Sequence, residues 1–169
     1  RRMTHKKVPG SDWVYMVYDD RDRLVLTQDG NQRAKQNPEW SFTKYDALNR
    51  PIMTGVYTHG SVKDQQEMQA HLNNEYSTPD KFYENYNDNA QTLGYSNRSF
   101  PTLNTTVFTA TYYDDYRFKS LIGTESSKYN YDKTRLVESE NEQGQPETEF
   151  TRVQGQVTGS YIKNLETDE

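Results

Sequence analysis

The sequence predicts a mainly β fold of antiparallel hairpins arranged as a meander, with one α-helix at about 62–75. Three observations carry this. Segments of alternating Tyr, Val and Thr recur along the chain, as in half-buried strands. Short runs of Asp and Asn separate them and read as turns. A single stretch, 61–77, contains neither Gly nor Pro and has helical spacing.

The elements follow in order. Residues 12–18, Asp12-Trp13-Val14-Tyr15-Met16-Val17-Tyr18, are β-branched and aromatic and form the first predicted strand. Asp19-Asp20-Arg21-Asp22 is a polar turn, and Arg23–Thr27 returns as the second strand. Asp29-Gly30 closes it. Trp40, Phe42 and Lys44 alternate with Ser41, Thr43 and Tyr45, a period of two. A second turn at 46–49 leads into 51–57. The stretch 12–60 is thus two hairpins. Ser61 fits a helix N-cap with Asp64 three residues on, and Met68, Leu72 and Tyr76 share one helical face. The span 80–119 reads as loop plus one strong strand, Thr105–Tyr113. The span 120–169 reads as polar hairpins, with 147–153 and 156–162 pairing around Gly155.

Composition bounds the class. Leu, Ile, Val and Phe total only 28 of 169 residues, but 14 tyrosines compensate. Tyr buries a large ring while its hydroxyl finds a partner, so the expected core is thin and tyrosine-built. No run approaches the roughly 20 apolar residues of a membrane helix. With no cysteine, disulfides and thiolate metal sites are excluded. A net charge of −5 and a pI near 5.3 argue against nucleic-acid binding. The chain opens Arg1-Arg2-Met3 without a signal-peptide pattern, as expected of a piece of a longer chain.

The chain repeats itself. Tyr18-Asp19-Asp20-Arg21-Asp22-Arg23-Leu24-Val25-Leu26-Thr27 aligns with Tyr45-Asp46-Ala47-Leu48-Asn49-Arg50-Pro51-Ile52-Met53-Thr54. Tyr131–Val137 is a degenerate third copy, and Tyr113-Asp114-Asp115-Tyr116-Arg117 a looser fourth. Each residue type has a physical task. Tyr18 and Tyr45 pack on the neighbouring strand. Asp19 and Asp46 accept turn N–H bonds. Asp22 and Asn49 occupy the position that needs a left-handed residue. Arg23 and Arg50 begin the returning strand, where a guanidinium fork can reach a carboxylate. One such hairpin cannot bury its own face, whereas stacked hairpins share one.

This turn resembles the YD repeat of RHS proteins, with Asp22 and Asn49 where that pattern usually has Gly. The stretches 17–30, 43–51 and 111–116, with Gly94-Tyr95-Ser96-Asn97 and Gly155-Gln156-Val157-Thr158-Gly159, are similar to large RHS-type surface proteins of Bacteroidetes. The likeness is most specific over 8–60, good over 93–118, and slight over 119–150. It implies a segment of a long secreted or cell-surface chain. In that family YD repeats build β-sheet strips that spiral into hollow shells, as in insecticidal Tc toxins and, by analogy, teneurins. Such shells enclose a C-terminal toxin or effector. The family's self-cleaving Asp-Pro-x-Gly motif is absent, since the sequence contains no Asp-Pro.

Other chemistry is weaker. Asp19, Asp20 and Asp22 could form an acid/base pair or cation site, but turn formation explains them. Asn85, Asn87 and Asn89 have calcium-loop spacing, yet Ala90 and Ser96 stand where an EF-hand needs Gly and Glu. His5, His59 and His71 show no metal spacing. Asn97-Arg98-Ser99 and Asn104-Thr105-Thr106 match glycosylation sequons. Trp13 and Trp40 are candidates for stacking on glycan rings, though their alternation suits a core. No cofactor is expected. The expected function is a non-catalytic structural segment of an RHS-type shell, partnered by neighbouring repeats of the parent chain and its enclosed cargo. The alternative is a carbohydrate-binding module at the cell surface. Residues 12–18 and 156–162 are the expected sheet edges, open to a next unit or a second copy.

Overall fold

In the computed structural model, which describes residues 2–61, 63–132 and 148–165, the chain forms one seven-stranded antiparallel sheet. The strands are β1 (His5–Lys6), β2 (Val14–Tyr18), β3 (Leu24–Gln28), β4 (Glu39–Tyr45), β5 (Pro51–Thr58), β6 (Thr105–Tyr113) and β7 (Val157–Ile162). Their spatial order is their sequence order, a pure meander. The mainly β class read from the sequence therefore holds. Among the described residues no helix is long and apolar enough to cross a membrane.

Strict alternation in β4 sends Trp40, Phe42 and Lys44 inward, all at most 2 % exposed. Trp40 and Phe42 join Val17, Leu26, Met53 and Tyr57 in one cluster with Met68, Leu72 and Tyr76. Gly55 faces Phe42 across the β4–β5 ladder, where a side chain would meet the Phe42 ring and the Thr106 carbonyl oxygen. Tyrosines extend the core: Tyr95 stacks on Tyr112 at 5.9 Å, and Tyr112 stacks on Phe118 at 5.0 Å.

Two α-helices pack on the sheet among the described residues. The first, α1 (Gly30–Ala34), lies where the sequence shows only the close of a strand at Asp29-Gly30. It forms because Asp29 and Gln32 make a capping box. The second, α2 (Gln65–Glu75), starts later than its expected 62, and its N-cap is Asp64 rather than Ser61. The Asp64 carboxylate accepts from Glu67 N (2.9 Å), while the Glu67 carboxylate accepts from Asp64 N (2.9 Å). That reciprocal pair satisfies two end groups, which Ser61 with Asp64 would not.

Three further expectations are corrected. Residues 12–18 are not an edge, because β1 pairs with β2. Side-chain amides of α2 cover the rest: Gln65 donates to Met16 O (2.9 Å), and Gln69 both accepts from Tyr18 N (3.0 Å) and donates to Tyr18 O (2.6 Å). Strand 157–162 pairs with β6, not with residues 148–153. Residues 117–129 form 3₁₀ turns broken at Gly123 rather than a hairpin, so that Phe118 and Leu121 can pack on the core. The expected third repeat copy runs into residues 133–147, which lie outside the described residues.

Candidate functional site

The two repeat turns adopt the same geometry atom for atom. Asp19 Oδ1 accepts from the backbone N–H of Arg21 (2.9 Å) and Arg23 (3.0 Å), while Asp19 Oδ2 takes Arg23 Nε (2.7 Å). Asp46 Oδ1 accepts from Leu48 N and Arg50 N, both at 2.9 Å, and its Oδ2 takes Arg50 Nε (2.6 Å). Asp22 and Asn49 sit at φ 62° and 63°, the left-handed positions the sequence called for. Two of the three clustered acids are thereby committed to structure: Asp19 holds its turn, and Asp22 pairs with Arg2.

Each arginine also reaches forward to the next turn. Arg23 lies over the Tyr45 ring (4.6 Å) and donates to Asn49 Oδ1 (3.0 Å), while Tyr45 OH donates back to Leu24 O (2.8 Å). Arg50 lies over Tyr113 (4.3 Å) and forks onto Asp114 at 2.9 and 2.5 Å, while Tyr113 OH donates to Pro51 O (3.0 Å). Arg2 repeats the pattern on Tyr18 (5.7 Å) and Asp22 (3.1 Å), with Tyr18 OH on Met3 O (3.0 Å). Three rungs thus form one ladder along the turn side of the sheet, each combining a cation–π contact with charge-assisted hydrogen bonds.

The looser fourth copy ends the ladder. Asp114 N donates to Gln156 O (3.1 Å) and Asp114 Oδ1 accepts from Gly155 N (2.6 Å), so Gln156 leads into the returning strand β7. Gly155, at φ 79°, stands where Asp22 and Asn49 do, and Gln156 stands where an arginine would. Arg117 pairs locally with Asp115 instead. The Arg50 fork and the Gly155 N–H hold the Asp114 carboxyl well down, to about 2. The cleft beside this rung is only about 190 Å³, below the usual range of small-molecule pockets.

A second constellation escaped the sequence reading. Lys44, inward on β4, is buried against Glu84 at 3.0 Å. Its ammonium also donates to Asn97 Oδ1 (2.6 Å). Glu84 N donates to Tyr45 O (2.9 Å), which docks the loop beside β4. The Glu84 carboxylate then collects Ser99 N (3.0 Å), Ser99 Oγ (2.6 Å), Ser96 Oγ (2.6 Å) and Arg98 N (2.7 Å). Burial opposes its charge, but Lys44 and these donors hold the carboxyl below its ordinary range. Burial likewise pushes the Lys44 ammonium down, against the attraction of Glu84. One signal was legible: a lysine in the inward register of a strand needs a buried acid. The acid's identity was not, because it lies 40 residues away.

The tryptophans separate. Trp40 is 1 % exposed and packs near Tyr15, so it offers no face to a sugar. Trp13 is 45 % exposed at the rim, with Lys7 over its ring (5.6 Å). The asparagine-rich loop uses its oxygens on itself: Asn87 Oδ1 accepts from Asn89 N (3.1 Å) and Asn89 Oδ1 from Gln91 N (3.0 Å). Among the described residues no three His, Asp or Glu side chains converge as metal ligands.

His59 and His71, dispersed in sequence, meet at 4.8 Å between the end of β5 and α2, beside Tyr57 and Phe100. Tyr57 OH shares a hydrogen bond with His59 Nδ1. Burial, then His71 and Lys63, lower the His59 pKa. The unfolded chain therefore binds that proton more readily, and stability falls as pH drops below about 6.5. Thermal melts between neutral and mildly acidic pH should show this loss, and His59→Gln should reduce it. An unchanged pH dependence in His59→Gln would assign the effect elsewhere.

No protein-family model, no curated protein and no solved structure matches this chain.

Proposed function

We propose that the chain is a non-catalytic structural segment of a secreted or cell-surface RHS-type shell, whose YD-repeat hairpins enclose or present a C-terminal toxin or effector. The observation that carries this reading is the ladder. Each unit's arginine is completed by the next unit's tyrosine and Asx residue, so a unit is a link rather than a finished object. Stacked units with nearest-neighbour interfaces are the physics of a repeating array.

The edges support the same reading. Among the described residues no strand pairs with the outer side of β7, and Val157, Tyr161 and Ile162 on it are exposed. Such an edge is a template for another strand, here a neighbouring repeat of the parent chain. In isolation the segment should self-associate through β7, and Ile162→Lys should reduce this while leaving the melting temperature nearly unchanged. Sedimentation of the two proteins across a concentration series checks it. The reading itself is tested by imaging the parent chain: a closed β-shell around a C-terminal domain is expected, and a chain without further Tyr-Asp hairpins overturns it. Hydrolysis of a polysaccharide, abolished by changing Asp19, Asp20 or Asp22, would also overturn it.

A carbohydrate-binding reading now rests on Trp13 alone, the tryptophan with an exposed ring. Retardation in a polysaccharide gel, lost in Trp13→Ala, would favour it.

A further inference from the structure

We propose that Lys44 and Asn97 are the two ends of a self-formed isopeptide cross-link, with Glu84 as the proton-transfer group. The three side chains come from β4, from the loop after α2 and from a position 13 residues further on, and they converge at hydrogen-bond distance. Lys44 Nζ lies 3.0 Å from Glu84 Oε1 and 2.6 Å from Asn97 Oδ1. An amine, a carboxamide and a carboxylate in contact are the complete set of groups for amide exchange.

The surroundings suit the reaction. Lys44 and Glu84 are 2 % and 1 % exposed. A cleft of about 320 Å³, lined by Phe42, Met53, Leu93 and Val107, opens on Lys44 and Asn97 and gives ammonia a way out. Desolvation disfavours the ammonium, so the neutral amine, which is the nucleophile, is brought within reach. Glu84 is clamped by Ser96, Ser99 and two backbone N–H groups. Asn97 is clamped too, its Nδ2 donating to Thr102 O (3.0 Å). Both partners are therefore held in place before any bond forms, which is the entropic advantage of an intramolecular step.

The step balances without a co-reactant. Glu84 takes a proton from the Lys44 ammonium. The freed Nζ lone pair attacks Asn97 Cγ, and a C–N bond forms. Protonated Glu84 returns a proton toward the departing amide nitrogen, and the amine's second proton follows it. The Cγ–Nδ2 bond breaks and the nitrogen, carrying both protons, leaves as ammonium, so Glu84 ends as a carboxylate, the chain is lighter by one ammonia, and no oxidation state changes. The product is a Lys44–Asn97 amide that closes a loop across β4, β5 and α2. This is a single self-modification, without turnover. It would fix the sheet to its covering loop by a covalent bond in a chain that has no cysteine.

Intact-mass spectrometry of the purified, denatured chain reads it directly. The expected mass is lower than the sequence mass by one ammonia. Asn97→Ala and Lys44→Met should have their full sequence mass, and Asn97→Asp should lose one water instead. Glu84→Gln should slow or abolish the loss. Tandem spectrometry of a digest should find a branched peptide joining Lys44 to Asn97, with trypsin failing to cut after Lys44. That measurement needs only the unsubstituted chain, so it stands even where a variant does not fold. A full mass in both fresh and aged protein overturns the proposal, as does an ammonia loss that persists in Asn97→Ala. Neither result depends on whether the parent chain forms a shell.

Discussion

Glu84→Ala is expected to lower the stability of the chain by about 3–5 kcal/mol, the usual cost of stranding one member of a buried ion pair. The substitution removes the carboxylate but leaves Lys44 at 2 % exposure with only Asn97 as a partner. It also orphans the backbone N–H groups of Arg98 and Ser99. Burial disfavours the ammonium already, so Lys44 would shed its proton or draw water into the core. The experiment belongs in an Asn97→Ala background, where no cross-link can form and Glu84→Ala leaves Lys44 neither Glu84 nor Asn97, so the cost of the stranded charge is read at its fullest. Urea denaturation of the single and double variants checks it. Adding Lys44→Met to Glu84→Ala should recover part of the loss, because an apolar replacement removes the stranded charge. A cost below about 1 kcal/mol would mean the site is wetter than its burial indicates.

Asp19→Ala should cost about 3 kcal/mol and Asp46→Ala about 1–2 kcal/mol, although the two turns share one geometry. The difference comes from burial. The Asp19 and Arg23 side chains are 0 % and 8 % exposed, whereas Asp46 and Arg50 are 13 % and 23 % exposed. Loss of Asp19 leaves two turn N–H groups and a desolvated guanidinium short of an acceptor, and Arg23 retains Asn49 and Phe82 O as acceptors and the Tyr45 ring beneath it. Loss of Asp46 leaves Arg50 its fork onto Asp114. Thermal or urea melts of both variants decide it. Equal costs would show that the ladder, not burial, sets the energetics. A melt of Asp46→Ala identical to the parent would remove the turn role altogether.

Much of this was legible in the sequence because it is local. The period of two in β4, the helical face of Met68, Leu72 and Tyr76, and the left-handed need at Asp22 and Asn49 depend on residues within a few positions of one another. The repeat gave the equivalence of Asp19 with Asp46 and of Arg23 with Arg50, and the turns bear it out. Capping has a local signature too, in Asp29-x-x-Gln32 and Asp64-x-x-Glu67, but the sequence reading places the cap of α2 at Ser61 and gives α1 none.

The sequence by itself thus determined the strands of 12–60 and 105–113, the two matching turns and the presence of one helix after β5. Only the tertiary structure decided which strand follows β6, which edge stays open, and what Lys44 meets. Strand 157–162 has no nearby signal for choosing β6 over the residues just before it; Asp114 makes the choice by reaching Gly155 across an insertion of 40 residues. The forward reach of Arg23 and Arg50, and the meeting of Lys44, Glu84 and Asn97, are likewise long-range contacts. A residue type can state that it needs a partner, but desolvation in the folded core selects which distant group supplies it.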